Sequence, residues 1–323
     1  MIKKSLLCCI LIICLNLNVK AWVYPEHREM ALIAIQRLDS VHRTLLDKLW
    51  ALARTGYEAR LTEPVIDLIQ GEHPTRLDYA AWPAIGGDHS TSGANMLYNV
   101  LETEWIMKVA DVAARLQKGL AEADNKSELN NRLRASDIGL LRADPEYVSR
   151  AGANYGHFMM VRPEEKTSAQ EYFDLCYKQG TALNLIGIYK WYHASAMMKA
   201  TRLKTENLTA EQRSALALAA LADEAFALHF LMDGFASGHV AGIWGDASQR
   251  KGTHDYYNEA GLEVTTWQGE RVVITGDAYM RPVDAERAAV AVRISLEQVL
   301  DAAAGKYAET LTIDVPGVFT ADT

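Results

Sequence analysis

The sequence predicts an all-α protein: a single multi-helix domain with a small β-hairpin near the C-terminus. Alanine and leucine recur at helical spacing through most of the chain. No internal repeat or low-complexity linker divides it. The β signal is confined to two short runs, Glu263–Trp267 and Arg271–Thr275, around the turn residues Gln268-Gly269-Glu270.

The elements follow in order. Residues 1–21 read as a secretory signal, with Lys3 and Lys4 ahead of the apolar run Leu6–Leu15 and a small-residue cleavage site at Val19-Lys20-Ala21. The run is too short to span a bilayer. Cleavage after Ala21 makes Trp22 the new N-terminus, so the protein is expected to be exported, periplasmic or secreted. The signal would carry away Cys8, Cys9 and Cys14, leaving Cys176 without an internal partner. It also carries three lysines and no acid, so the mature charge is 30 − 41 = −11. Such an acidic chain is a poor general adhesive for nucleic acid or anionic membrane. A core of this size can do without disulfides.

Ala31–Leu52, Met96–Ala121 and Gly180–Thr201 each have the apolar spacing of an amphipathic helix. Thr209-x-x-Gln212 is a capping-box pattern that opens a further helix through Met232, apolar on nearly every side and so expected to be central. Asp284–Ala304 reads as the last helix. Pro64–Gly93 reads as loop, with Pro74, Pro83, Gly86 and Gly87 in it. Residues 306–323 read as a tail.

The chemistry sits inside the apolar helix. His229 and Asp233 are four residues apart and share one face. His239 follows just past Gly234 and Gly238; His254 and Asn258 repeat the four-residue spacing; His157 lies upstream in "ANYGHFMMV". A lone histidine on an apolar helix is ordinarily a hydrogen-bonded core residue. A set of them with a buried carboxylate is different, because an unpaired buried charge is costly and a divalent cation compensates it. Zinc suits histidine nitrogen and aspartate oxygen where cysteine is absent. His42, His73 and His193 have no partner at ligand spacing and read as surface or packing residues.

In order and spacing these residues resemble the superfamily of zinc-dependent phospholipases C and single-strand nucleases, helical phosphodiesterases with three zinc ions. The resemblance rests on His229-x3-Asp233 with His239 beyond it, on His157 in "GHF", on His254, and on Trp22 with His27 close behind. It implies a helical domain over residues 22–305 around a buried zinc cluster, with residues 91–141 as an insertion. It further implies that the α-amine and carbonyl of Trp22 bind zinc together with His27 and a bridging Asp233. A second ion would sit on Asp144, His157, His229 and Asp233, and a third on His239, His254 and Asn258. Asn258 stands where the family has an acid; its oxygen carries no charge, and Asp255 and Glu259 are the neighbouring carboxylates. The loop aspartate of the family matches Asp144 first, thirteen residues before His157. Asp78 and Asp88 compete, and Asp88-His89 reads equally well as a solvated turn.

The resemblance implies an exported enzyme with two to three Zn2+ that hydrolyses a phosphodiester by attack of a zinc-bridging hydroxide, with Asp144 available to orient the water. The substrate would be a phospholipid head group, released by a phospholipase C, or single-stranded nucleic acid, cut to leave 5′-phosphates. The Trp22-x4-His27 spacing favours the nuclease branch; the acidic charge and the "HF" motif favour the phospholipase branch, which is the expectation taken forward. Tyr147, Tyr155, Tyr256 and Tyr257 supply aromatic faces for either substrate. A non-catalytic metal-binding relative is the third reading.

Overall fold

A computed structural model describes residues 23–65, 74–144, 146–147, 149–150, 155–178, 180–242 and 251–307. Trp22, His73, the segment assigned to the signal and residues 308–323 of the tail lie outside them.

Among the described residues the protein is all-α apart from one antiparallel hairpin. The helices are α1 (Tyr24–Gln36), α2 (Ser40–Ala53), α3 (Trp82–His89), α4 (Gly93–Glu102), α5 (Trp105–Ala121), α6 (Lys126–Ala143), α7 (Ala169–Cys176), α8 (Leu185–Thr205), α9 (Ala210–Asp233), α10 (Ser237–Ala241), α11 (His254–Ala260) and α12 (Pro282–Ala304). Strands β1 (Leu262–Thr265) and β2 (Arg271–Ile274) pair with Leu262 opposite Ile274 and Thr265 opposite Arg271.

Helix α9 is the axis of the fold. Thr209 caps it as the sequence predicts: its hydroxyl accepts from the Gln212 N–H, and the Gln212 side chain accepts from the Thr209 N–H at 2.9 Å. With α2, α3, α4, α8 and α12 packed around it, α9 is buried continuously from Ala220 to Phe230. It is long and apolar enough to cross a membrane, but most of that apolar surface is covered by the protein itself. Buried Trp50, Tyr79 and Trp82 pack ring to ring beside it. Large side chains of this kind contribute about 1.5–3 kcal/mol each through burial.

Two expected helices are each broken in two. The stretch Ala31–Leu52 is interrupted at residues 37–39, because Asp39 turns its carboxylate onto the Val41 and His42 N–H groups, both at 2.9 Å, and starts a new helix. Met96–Ala121 is interrupted where Thr103 adopts an extended backbone at the end of α4. The expected loop Pro64–Gly93 instead contains a 3-10 turn (Tyr79–Ala81) and the wholly buried α3. Pro83 sits in the first turn of α3, where its missing N–H costs nothing.

Candidate metal centre

Three buried clusters of histidine and aspartate meet where α1, α3, α9, α10 and α11 converge. They are His27–Asp88–His229, His157–His229–Asp233 and His239–His254–Asp277, and in each the candidate ligand atoms lie within 4.8 Å of one another. His229 belongs to two clusters. Asp233 joins the sets: its Oδ2 is 2.5 Å from His157 Nδ1 and 3.6 Å from His239 Nδ1, and its Oδ1 is 3.5 Å from His27 Nε2. The i, i+4 geometry of α9 therefore places His229 and Asp233 as the sequence requires, with His229 Nε2 3.6 Å from Asp233 Oδ2.

Backbone carbonyls fix two of the imidazoles. His229 Nδ1 donates to the Pro83 carbonyl and His239 Nδ1 to the His157 carbonyl, each at 2.8 Å. Each ring thereby turns its Nε2 toward the clusters, with His229 Nε2 3.2 Å from His157 Nδ1. His254 is held on both sides, by Asp255 Oδ1 at 3.0 Å on Nδ1 and Asp277 Oδ2 at 2.9 Å on Nε2. Close approach of α3 to α9 requires glycine. A Cβ on Gly87 would fall 2.6 Å from His229 Cδ2 and 2.7 Å from His157 Cε1.

The electrostatics suit cation ligation. Burial, reinforced by the neighbouring imidazoles, holds His27, His157 and His229 well below the ordinary histidine range, so all three are neutral. Burial likewise pushes Asp233 up to about 8 and Asp88 well above the usual carboxylate range. The third cluster differs. Burial opposes charge there too, but the attraction between partners outweighs it: Asp277 is held low by His254 and His239, and His254 is pushed up to about 9. A metal must displace a proton in every cluster, from Asp88 and Asp233 in the first two and from His254 in the third.

Four candidate ligand atoms are buried with no hydrogen-bond partner: His27 Nε2, Asp233 Oδ1, His239 Nε2 and Asp277 Oδ1. Buried polar atoms are normally satisfied. Two orphaned carboxylate oxygens and two orphaned imidazole nitrogens, all within these clusters, form a donor set that fits divalent cations. The described residues can therefore hold metal ions.

The structure sorts the residues singled out in the sequence. His27, Asp88, His157, His229, Asp233, His239 and His254 come together. Asp144 does not join any of the three clusters. It ends α6, accepts from His89 Nδ1 at 3.1 Å and pairs with the Arg150 guanidinium. Asp88 joins His27 and His229 instead, and both Asp88 and His89 are buried rather than in a solvated turn. Asp78 caps the 3-10 turn and pairs with Arg28 at 2.5 Å. Glu259 pairs with Lys126 at the surface. Asn258 is also outside the clusters. Its amide oxygen accepts from the Gly238 N–H at 2.7 Å, and its NH2 donates to Asp277 Oδ2 at 2.7 Å.

The sequence reading missed Asp277. Its segment, Gly276-Asp277-Ala278, follows the hairpin and has no helical spacing to a histidine. The one signal was the neutral Asn258 four residues after His254, which leaves that helix turn without a carboxylate at ligand spacing.

A crevice beside Asp88 is walled by Leu116, Leu133, Leu140 and Tyr147, with Ser136 and Asp137 at its side. Neither lysine nor arginine lines it. No family model matches the chain, and no curated protein or solved structure matches it.

Proposed function

We propose that the protein is an exported zinc-dependent phosphodiesterase of the phospholipase C type. The observation that carries this is the set of three linked, buried His/Asp clusters with orphaned ligand atoms. The resemblance in residue order to the zinc phospholipases and nucleases supports the same reading. His157, His229, Asp233 and Asp88 would hold one ion, His239, His254 and Asp277 a second, and His27 with Asp233 and the amine and carbonyl of Trp22 a third. Zinc supplies water activation near neutral pH and neutralises charge that develops on phosphoryl oxygens.

The chain's own groups do the rest. The Pro83 and His157 carbonyls fix the tautomers of His229 and His239, and Asp255 orients His254. Outer carboxylates and carbonyls of this kind raise ligand basicity and hold ring orientation. Asp88, rather than Asp144, would take the part of the loop aspartate and orient water, a reading supported by its place in a cluster with His27 and His229. The phospholipase branch is preferred to the nuclease branch because the acidic charge of the chain disfavours a polyanionic substrate. The nuclease alternative rests on the Trp22-x4-His27 spacing.

Zinc-loaded protein assayed on phosphatidylcholine micelles and on single-stranded RNA tests the proposal. Release of a phosphorylated head group supports the phospholipase reading; cleavage of RNA alone replaces it with the nuclease reading. Bound zinc with neither activity leaves a non-catalytic metal protein.

A further inference from the structure

Asp277 is an unusual candidate ligand because no helix or strand holds it. Its neighbour Ala278 is the one described non-glycine residue with positive φ, at 63°. L-residues avoid that region unless their surroundings enforce it. The enforcing group is Glu26, on α1, 252 positions away in sequence from Ala278. Its carboxylate is buried, and three backbone N–H groups, rather than a cation, satisfy it. Oε2 accepts from Ala278 at 2.9 Å and from Val23 at 3.2 Å, and Oε1 accepts from Met280 at 3.1 Å.

The Val23 contact is the ordinary capping-box bond of a third helical residue. The other two are not needed for α1. They tie the loop of Asp277 to the first turn of the helix that carries His27. One carboxylate thus fixes two sides of the centre at once. On the opposite flank, Asn258 holds Asp277 Oδ2, and a Cβ on Gly276 would overlap the Asn258 amide.

We propose that Glu26 is a positioning residue for the metal centre, clasping the Asp277 loop to the N-terminal turn so that the His239–His254–Asp277 cluster and the His27 side of the site are set together. This rests on the metal reading above.

The test is titration of metal-free, signal-cleaved full-length chain with Zn2+ by calorimetry and with Co2+ by absorption, for wild type, Glu26→Gln and Glu26→Asp. Glu26→Gln keeps the shape but turns an NH2 against a backbone N–H. Glu26→Asp keeps the carboxyl group but, one methylene shorter, falls short of the loop. The expected result is a selective loss: the ion at His157–His229–Asp233 keeps its affinity and cobalt spectrum, while the ion at His239–His254–Asp277 binds roughly tenfold to a hundredfold more weakly. Adding Ala278→Gly to either variant should recover part of the loss, since glycine holds a positive φ without a brace. Wild-type affinities and spectra in both variants would overturn the proposal. So would an equal loss at every site accompanied by a lowered melting temperature of the metal-free protein, which would make Glu26 a general strut. Absence of metal from the wild type would instead remove the metal reading itself. If Glu26→Gln does not fold, Glu26→Asp carries the same comparison.

Discussion

The side-chain NH2 of Asn258 donates to Asp277 at 2.7 Å, with both groups buried. This bond sets a neutral amide, four residues after His254, against the carboxylate of the cluster. The carboxylate comes from the loop after the hairpin, and the amide on the helix holds it. Asp277→Ala should therefore remove about one zinc per chain, measured by elemental analysis. Asn258→Ala should retain the ion and weaken it roughly tenfold to a hundredfold. Loss of the ion from Asn258→Ala with retention in Asp277→Ala would reverse the assignment.

Of the two aspartates that the sequence offers as ligands, Asp88 joins a cluster and Asp144 does not. Asp144 serves His89 and Arg150, a buried arrangement whose rupture costs about 3–5 kcal/mol. Asp144→Asn should lower unfolding free energy in urea while leaving zinc content unchanged. Asp88→Asn should do the opposite, losing zinc with little change in the stability of the metal-free chain. Zinc loss in Asp144→Asn would restore the sequence-based choice.

Gly87 can be tested by adding a single methyl group. Its Cβ would fall within 2.7 Å of both His157 and His229 ring carbons, so α3 or α9 must move. Gly87→Ala should destabilise the metal-free protein by about 1–3 kcal/mol and weaken zinc binding. Unchanged calorimetric binding would show that α3 has slack that the structure does not display.

How much of this was readable in the sequence follows the physics. Helix α9, its Thr209 cap and the His229–Asp233 pair were legible because one helix fixes them locally. So was the hairpin. The breaks at residues 37–39 and at Thr103 were not, because Asp39 and Thr103 sit inside otherwise unbroken helical spacing. The burial of Asp88 and His89 was hidden because two glycines beside prolines read as loop, whereas here they allow α3 to approach α9. Asp277 was out of reach because its place depends on Glu26, Asn258 and a left-handed alanine, contacts that no local pattern encodes.

A pH dependence separate from the metal centre is expected from His193. Its Nδ1 lies 2.8 Å from Glu224 Oε2 and its Nε2 2.9 Å from Gln298 Oε1, in a network that includes Ser295 and Tyr189. Burial disfavours the imidazolium, but Glu224 and the hydrogen bonds outweigh it, and His193 lies above the ordinary range. A histidine raised on folding contributes stability that is fully present below its unfolded value, about 6.5, and is lost as pH rises through its folded value. The stability advantage of wild type over His193→Gln, measured by urea unfolding in EDTA, should fall across that window. A difference independent of pH would remove His193 as its source.

The measurement that tests the account most directly is zinc content of signal-cleaved protein, wild type against Asp233→Asn. Asp233 touches His27, His157 and His239, so it bridges the clusters. About two to three zinc ions per wild-type chain, with about two lost together in Asp233→Asn, is the expected result. A wild-type chain that binds no zinc, or an Asp233→Asn chain that keeps its full complement, would contradict it.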